Sequence, residues 1–444
     1  MITDTQALAD FCARLRTADY ITVDTEFMRE TTYWPILCLV QVAGPDEARC
    51  VDALANGINL GPLYEILADE NVLKVFHAAR QDLEIFYHQA GRLPAPVFDT
   101  QVAAMVCGFG DSVGYETLVT KLADARIDKG SRFTDWSLRP LSERQIKYAM
   151  ADVTHLRPAY EKLARKLHAN GRESWLKEEM AVLTRPATYD GEPREAFRRI
   201  KIRSADAKTL AVLREVAAWR ESECQRLDVP RNRVLRDEAL VEIAHHTPGN
   251  PEQLARTRGL GARLAKGDRG QQLLNAVKMG LAVPEGERPE PKLKPQLPRG
   301  IGPVSDLLKV LLKMKSEDSG VASKLLASAA DIELIAAFGE QAEVRALKGW
   351  RREVFGDDAL KLCSGDISMT IESKKLKLVK FQEAKKGVRG SGGVPRDPQG
   401  TDRETTRGVK DQRSDRETTS GWENLSSGGP ARTMPEKGIS PYRQ

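Results

Sequence analysis

No stretch of this 444-residue chain approaches the roughly 20 consecutive apolar residues that a membrane-spanning helix requires. The opening MITDTQALADFC has neither the basic start nor the apolar core of a secretory signal, so a cytoplasmic protein is expected. Cysteine is scarce. Cys12, Cys38, Cys50, Cys107, Cys224 and Cys363 form no C-x-x-C pair, which argues against a zinc knuckle or a dithiol redox motif and predicts buried free thiols. RGLGARLAKG has glycines but no strand in front of them, so it does not carry a dinucleotide fold. A large excess of one charge is also missing, since 68 Lys and Arg stand against 63 Asp and Glu. The distribution is uneven, however: residues 1–185 hold 26 acidic and 21 basic side chains, and 186–288 hold 15 and 19. An acidic first domain followed by basic ones suits a protein that handles a polyanion, without requiring it.

At this length two or more domains are expected. Residues 1–185 alternate strand and helix patterns. YITVDTEF, PILCLVQVA, EARCVDA and NVLKVFHA read as strands, and GPLYEILAD, RQDLEIFYHQAG, DTQVAAMVCG, YETLVTKLAD and the long SERQIKYAMADVTHLRPAYEKLARKLHANG read as helices. This order predicts an α/β domain with a mixed sheet. After the linker TRPATYDGEPRE the strand signal ends, and residues 203–284 read as short helices. The proline-rich PEGERPEPKLKPQLPRGIGP separates them from a second all-helical segment over 300–378. Residues 384–444 have too little apolar content to offset the entropy of ordering and are predicted disordered, with DRETT repeated at 402 and 415.

The chemistry lies in the carboxylates. VDTEF puts Asp24 and Glu26 on one face of a strand, where two uncompensated anions would be costly and a divalent cation would remove the conflict. D-x-E recurs at Asp82/Glu84, Asp190/Glu192, Asp331/Glu333 and Asp402/Glu404, but only the first pair closes an apolar β-branched run. Asp82 opens a helix after a strand, where capping or a dipole contact would also explain it. In KYAMADVTHL, Tyr148 and Asp152 lie one helical turn apart beside an apolar face. A solvated helix flank is the plain explanation of that pair alone.

In order, D-x-E, a later Asp and Y-x3-D resemble the three exonuclease motifs of the DEDD superfamily in its tyrosine branch. The histidine branch would need His where Lys147 stands. DTEF, FHAARQDLEIF and KGSRFTDWSLRPLSERQIKYAMADVTHL are similar to the corresponding segments of the ribonuclease D family. LREVAAWRESECQRLDVPRNRVLRDEALVEIA resembles its HRDC module, and the second helical segment looks like a looser tandem copy. The resemblance spans about residues 1–375 and implies a ribonuclease H-like exonuclease domain, two HRDC-like domains, and 3′ to 5′ removal of nucleoside monophosphates from RNA.

It further implies tRNA precursors as substrate and two divalent cations, Mg²⁺ or Mn²⁺; a monomer is expected, with no obligate protein partner indicated. By the same resemblance Asp24 bridges both ions, Glu26 and Asp152 complete one site, Asp82 holds the other, and Tyr148 orients the attacking water. Asp82 is preferred to Glu84 because Leu83 and Phe86 define the apolar face of its helix. Trp136 and Arg139 are candidates for base stacking and phosphate contact, with packing and a structural ion pair as equal alternatives. Arg231, Arg233 and Arg236 are candidate phosphate contacts on the first helical module, and His77 and His155 are read as structural. A DNA exonuclease on the same scaffold and a catalytically silent nucleic-acid-binding protein remain as alternatives, the carboxylates being indifferent to a 2′ hydroxyl.

Overall fold

The computed structural model describes residues 1–380 apart from 128–129, 131–133 and 292–294. The tail predicted disordered over 384–444 therefore lies outside the described residues. The first part of the chain is built on a five-stranded mixed sheet in the order β3-β2-β1-β4-β5. β1 (Tyr20–Met28) runs antiparallel to β2 (Ile36–Ala43), which pairs antiparallel with β3 (Ala48–Asp52). On its other side β1 is parallel to β4 (Leu73–Phe76), and β4 to β5 (Val97–Asp99). Four of these strands match the sequence pattern. β5 escaped it because three residues, preceded by two prolines, carry no readable alternation.

The two sheet faces are covered differently. Ile21, Val23, Val40, Val42 and Val51 pack into one core with Leu8 and Phe11 of α1 (Thr5–Leu15), Leu63 and Ile66 of α2 (Gly61–Leu67), and Phe86 of α3 (Arg80–Ala90). The opposite face carries Thr22, Asp24, Glu26 and Gln41 and is crossed by α6 (Glu143–Thr154), which contacts β1, β2 and β3. In sequence between α3 and α6 come α4 (Thr100–Val106) and α5 (Tyr115–Ala123), both of which pack on α7 (Leu156–Ala169). The long helical pattern over 142–171 is in fact two helices, α6 and α7, which break at His155. Pro158 explains the break, since it has no N–H for the Thr154 carbonyl and fits only the first turn of a new helix. The start of β4 is held by Lys74, fully buried, whose ammonium donates to the carbonyls of Asp69 (2.7 Å), Val72 (2.6 Å) and Ala95.

Beyond α8 (Glu173–Leu183) the described chain is helical as far as Ser364. α9 (Ala207–Leu227) packs against the helix Asp268–Ala282 so closely that a Cβ on Gly280 would meet Val212 Cα at 2.5 Å. The last segment holds helices at Gly302–Ser319, Ala329–Phe338 and Asp357–Ser364. It departs from the all-helical expectation at its end, where β6 (Ile367–Glu372) and β7 (Lys375–Lys380) form a hairpin. Ser373 and Lys374, both at positive φ, supply its two-residue turn, and ISMTIE and KLKLVK alternate with a period of two.

Both helical segments are anchored to the first domain. The Tyr33 hydroxyl donates to Glu221 at 2.5 Å, and Asp228 accepts from the backbone N–H groups of Tyr33 and Trp34 at 3.0 Å. Further along, Trp175 of α8 stacks on Trp350 at 4.4 Å and 9°, while the buried Arg351 reaches Glu178 at 2.7 Å and also Glu179. Five cysteines are buried as expected; Cys363, near the end of the last helix, is exposed. Among the described residues no helix is long and apolar enough to cross a membrane.

Candidate active site

Alternation along β1 delivers Asp24 and Glu26 to the face beneath α6, and a register shift after Glu26 ends the regular pairing with β2. α6 begins with a full capping box between Ser142 and Gln145, which fixes its entry. Ala149 and Val153 are buried and turn the edge bearing Tyr148 and Asp152 toward β1. One carboxylate oxygen each from Asp24, Glu26 and Asp152 lies within 4.8 Å of the others. Asp82, in the first turn of α3, stands outside that grouping; it is buried and accepts a hydrogen bond from the Thr25 hydroxyl. Glu84, further along α3, is engaged elsewhere by Arg29 through two bonds of 2.8 Å.

The turn carrying Asp82 into place is itself tied down. Ala78 adopts φ 60, a left-handed conformation unusual for a residue with a Cβ. The buried carboxylate of Asp99 stabilises it by accepting from the Ala78 N–H at 3.0 Å and the Ala79 N–H at 2.9 Å, while also capping α4 at Gln101 (2.8 Å). Sequence reasoning did not single out Asp99. Its position before a helix was a capping signal, but its reach back to β4–α3 was not legible.

The electrostatics follow from crowding four acids. Burial, followed by the charges of Asp152, Asp82 and Glu26, holds the Asp24 carboxyl well above the usual range. Burial pushes Asp82 up to about 7; the Thr25 hydroxyl opposes this and the Asp99 charge adds to it. Asp24, Tyr148 and Asp152 open onto a cleft of about 440 Å³ shared with His77, Gln101 and Tyr115. His77 Nδ1 is 2.9 Å from the Thr100 hydroxyl, and burial lowers the ring's pKa, in keeping with a structural imidazole. An all-oxygen cluster whose charges repel one another is the donor set that a hard divalent cation fits.

For three candidate substrate contacts the structure shows packing or ion pairing. Trp136 is 2 % exposed and packs behind Tyr148, with ring centroids 6.2 Å apart, so it has no free face for a base. Arg139 forks onto Asp52 at 2.6 and 2.8 Å and onto the carbonyls of Trp136, Leu138 and Cys38, which is the structural ion pair. Arg231 is engaged by the buried Glu221 and the Tyr33 ring. Asp52 lies 87 residues from Arg139, and Tyr33 reaches Arg231 from another domain, beyond the reach of local motifs. Arg233, by contrast, lines a surface cavity of about 750 Å³ with Asn232, Arg236 and Glu30.

Comparison with known proteins agrees with this geometry. Residues 1–168 match the 3′-5′ exonuclease family and residues 209–277 the HRDC domain family. Over 376 residues, 85% of this chain and 98% of the relative, the sequence is 52% identical to ribonuclease D of Nitrobacter hamburgensis. The chain belongs to the ribonuclease D family. Ribonuclease D of Granulibacter bethesdensis is 50% identical over 380 residues, which are 85% of this chain and 96% of that protein. The crystal structure of Escherichia coli RNase D, described as an exoribonuclease involved in structured RNA processing, superposes with a TM-score of 0.69 at 31% identity, covering 82% of this chain and 98% of that one. As a ribonuclease D this protein is a 3′ to 5′ exoribonuclease.

Proposed function

We propose that this ribonuclease D trims the 3′ ends of tRNA precursors, releasing nucleoside 5′-monophosphates with the help of two divalent cations, Mg²⁺ or Mn²⁺. The observation that carries the reading is the convergence of Asp24, Glu26 and Asp152 within 4.8 Å beside Tyr148 on the wall of one cleft. Asp24, Glu26 and Asp152, with Asp82 nearby, would hold the ions. When bound, the metals supply Lewis-acid stabilisation of the phosphoryl oxygens and lower the pKa of a water. The chain's own groups do the rest. Carboxylates fix the line of attack, and the Tyr148 phenol, backed by the packed Trp136 ring, orients the water and takes part in its deprotonation.

All four acids lie on one chain, so a monomer would hold the complete set. The segment 300–378 serves as a second, diverged HRDC-like module, and Arg233 contributes to RNA affinity from the first. Matched single-stranded RNA and DNA oligonucleotides test the reading. We expect metal-dependent monophosphate release from RNA 3′ ends, abolished by Asp24→Asn and reduced by Tyr148→Phe. Equal turnover of DNA would favour the DNA exonuclease, and RNA binding without turnover the silent binding protein.

A further inference from the structure

The last turn of α6 carries Asp152 and ends where Pro158 interrupts helical bonding. Three successive carbonyls there receive side-chain hydroxyls. The Tyr115 phenol is 2.9 Å from the Ala151 carbonyl and 2.7 Å from that of Asp152, so its single proton is shared with the closer contact to Asp152. From beneath the helix, the Thr22 hydroxyl of β1 donates to the Val153 carbonyl at 2.8 Å. Two hydroxyls from different elements thus grip the helix end on both sides.

We propose that Tyr115 is a positioning residue for the metal site: its phenol, with Thr22 opposite, fixes the end of α6 so that the Asp152 carboxylate meets those of Asp24 and Glu26. The inference rests on the reading of these acids as metal ligands. Tyr115 is the first residue of α5, an element that supplies no acid to the cluster, and its ring edges the cleft 5.5 Å from His77. Its hydroxyl holds backbone atoms and leaves the reacting groups to others. Groups that orient metal ligands from outside the coordination sphere typically change metal affinity or activity by about 10- to 100-fold when removed.

Tyr115→Phe keeps the ring and deletes only the grip. Tyr189→Phe is the matched control, because the buried Tyr189 hydroxyl donates to the Leu183 carbonyl at 2.7 Å, also at a helix end but outside the cleft. Full-length wild type and variants are titrated with Mn²⁺ in the absence of RNA, following free Mn²⁺ by electron paramagnetic resonance, and turnover is then measured against Mg²⁺ concentration. For Tyr115→Phe we expect Mn²⁺ affinity and half-saturation by Mg²⁺ to weaken by about tenfold, kcat to fall and KM for RNA to stay unchanged. For Tyr189→Phe we expect a lower Tm and unaltered metal curves. Parallel behaviour of the two variants, or unaltered metal curves in Tyr115→Phe, would overturn the proposal. If Tyr115→Phe does not fold, Thr22→Val decides, with weakened Mn²⁺ binding supporting the grip and unchanged binding refuting it. A wild type that takes up no Mn²⁺ would overturn the metal-ligand reading, and this inference with it.

Discussion

Replacing an active-site acid is usually destructive, yet in the metal-free protein Asp82→Asn is expected to stabilise the fold at pH 8. Asp82 is buried and holds its proton up to about pH 7, whereas an unfolded chain releases it near pH 4. The folded state therefore binds the extra proton between those values. The contribution to stability is complete below about pH 4 and is lost as pH climbs through about 7. Above pH 7 the folded state carries a buried anion that costs up to about 4 kcal/mol relative to the unfolded chain. Because the repulsion is shared with Asp24, we expect roughly half of that, ~2 kcal/mol, to return in Asp82→Asn. The Thr25 hydroxyl still has an oxygen to donate to. Denaturant melts in EDTA from pH 4 to 8 measure the difference: near zero at pH 4, growing in the variant's favour up to about pH 7 and levelling off above it. Saturating Mg²⁺ is expected to reverse the order, because it stabilises the wild type by mass action and the variant less. A variant less stable than wild type at pH 8 in EDTA, or a difference independent of pH, would refute the reasoning.

Arg139→Ala leaves the buried Asp52 without its partner and is expected to cost about 3–5 kcal/mol in denaturant melts with KM for RNA unchanged; a raised KM at full stability would restore the phosphate role. Arg231→Ala is expected to lower Tm by stranding Glu221, whereas Arg233→Ala leaves Tm alone, weakens RNA binding and reduces the slope of log affinity against log salt by about 1. Identical salt slopes for Arg233→Ala and wild type would remove it from the RNA path. Lys74→Met abandons three carbonyls, one of them buried, and is expected to cost about 3 kcal/mol, read as a shifted urea midpoint with an unchanged metal requirement for turnover.

Much of the fold is written locally. β1 to β4 and the helices packing on them carry apolar periods that follow directly from which face is buried, and the D-x-E and Y-x3-D motifs lie where those periods place them. The rest depends on contacts between distant residues. Tyr148 and Asp152 are neighbours by helical spacing, but nothing near them in sequence names Tyr115, 37 positions before Asp152, as the hydroxyl on the Asp152 carbonyl. Arg139 resembles a phosphate ligand until Asp52, 87 residues away, is seen to occupy it. The terminal hairpin was read with the helices because its lysines and leucines suit either period over so short a run, and two residues at positive φ, one of them a lysine, decided otherwise.

The stacked pair of Trp175 and Trp350 joins α8 to the last helical segment, with rings nearly coplanar in orientation and in van der Waals contact. Two indoles so close share their electronic excitation, so the junction is a built-in optical gauge. Its near-ultraviolet circular dichroism reports whether the C-terminal segment rests on the exonuclease domain. A structured RNA that pries the two apart on its way to the carboxylates would announce itself in that signal without any added label.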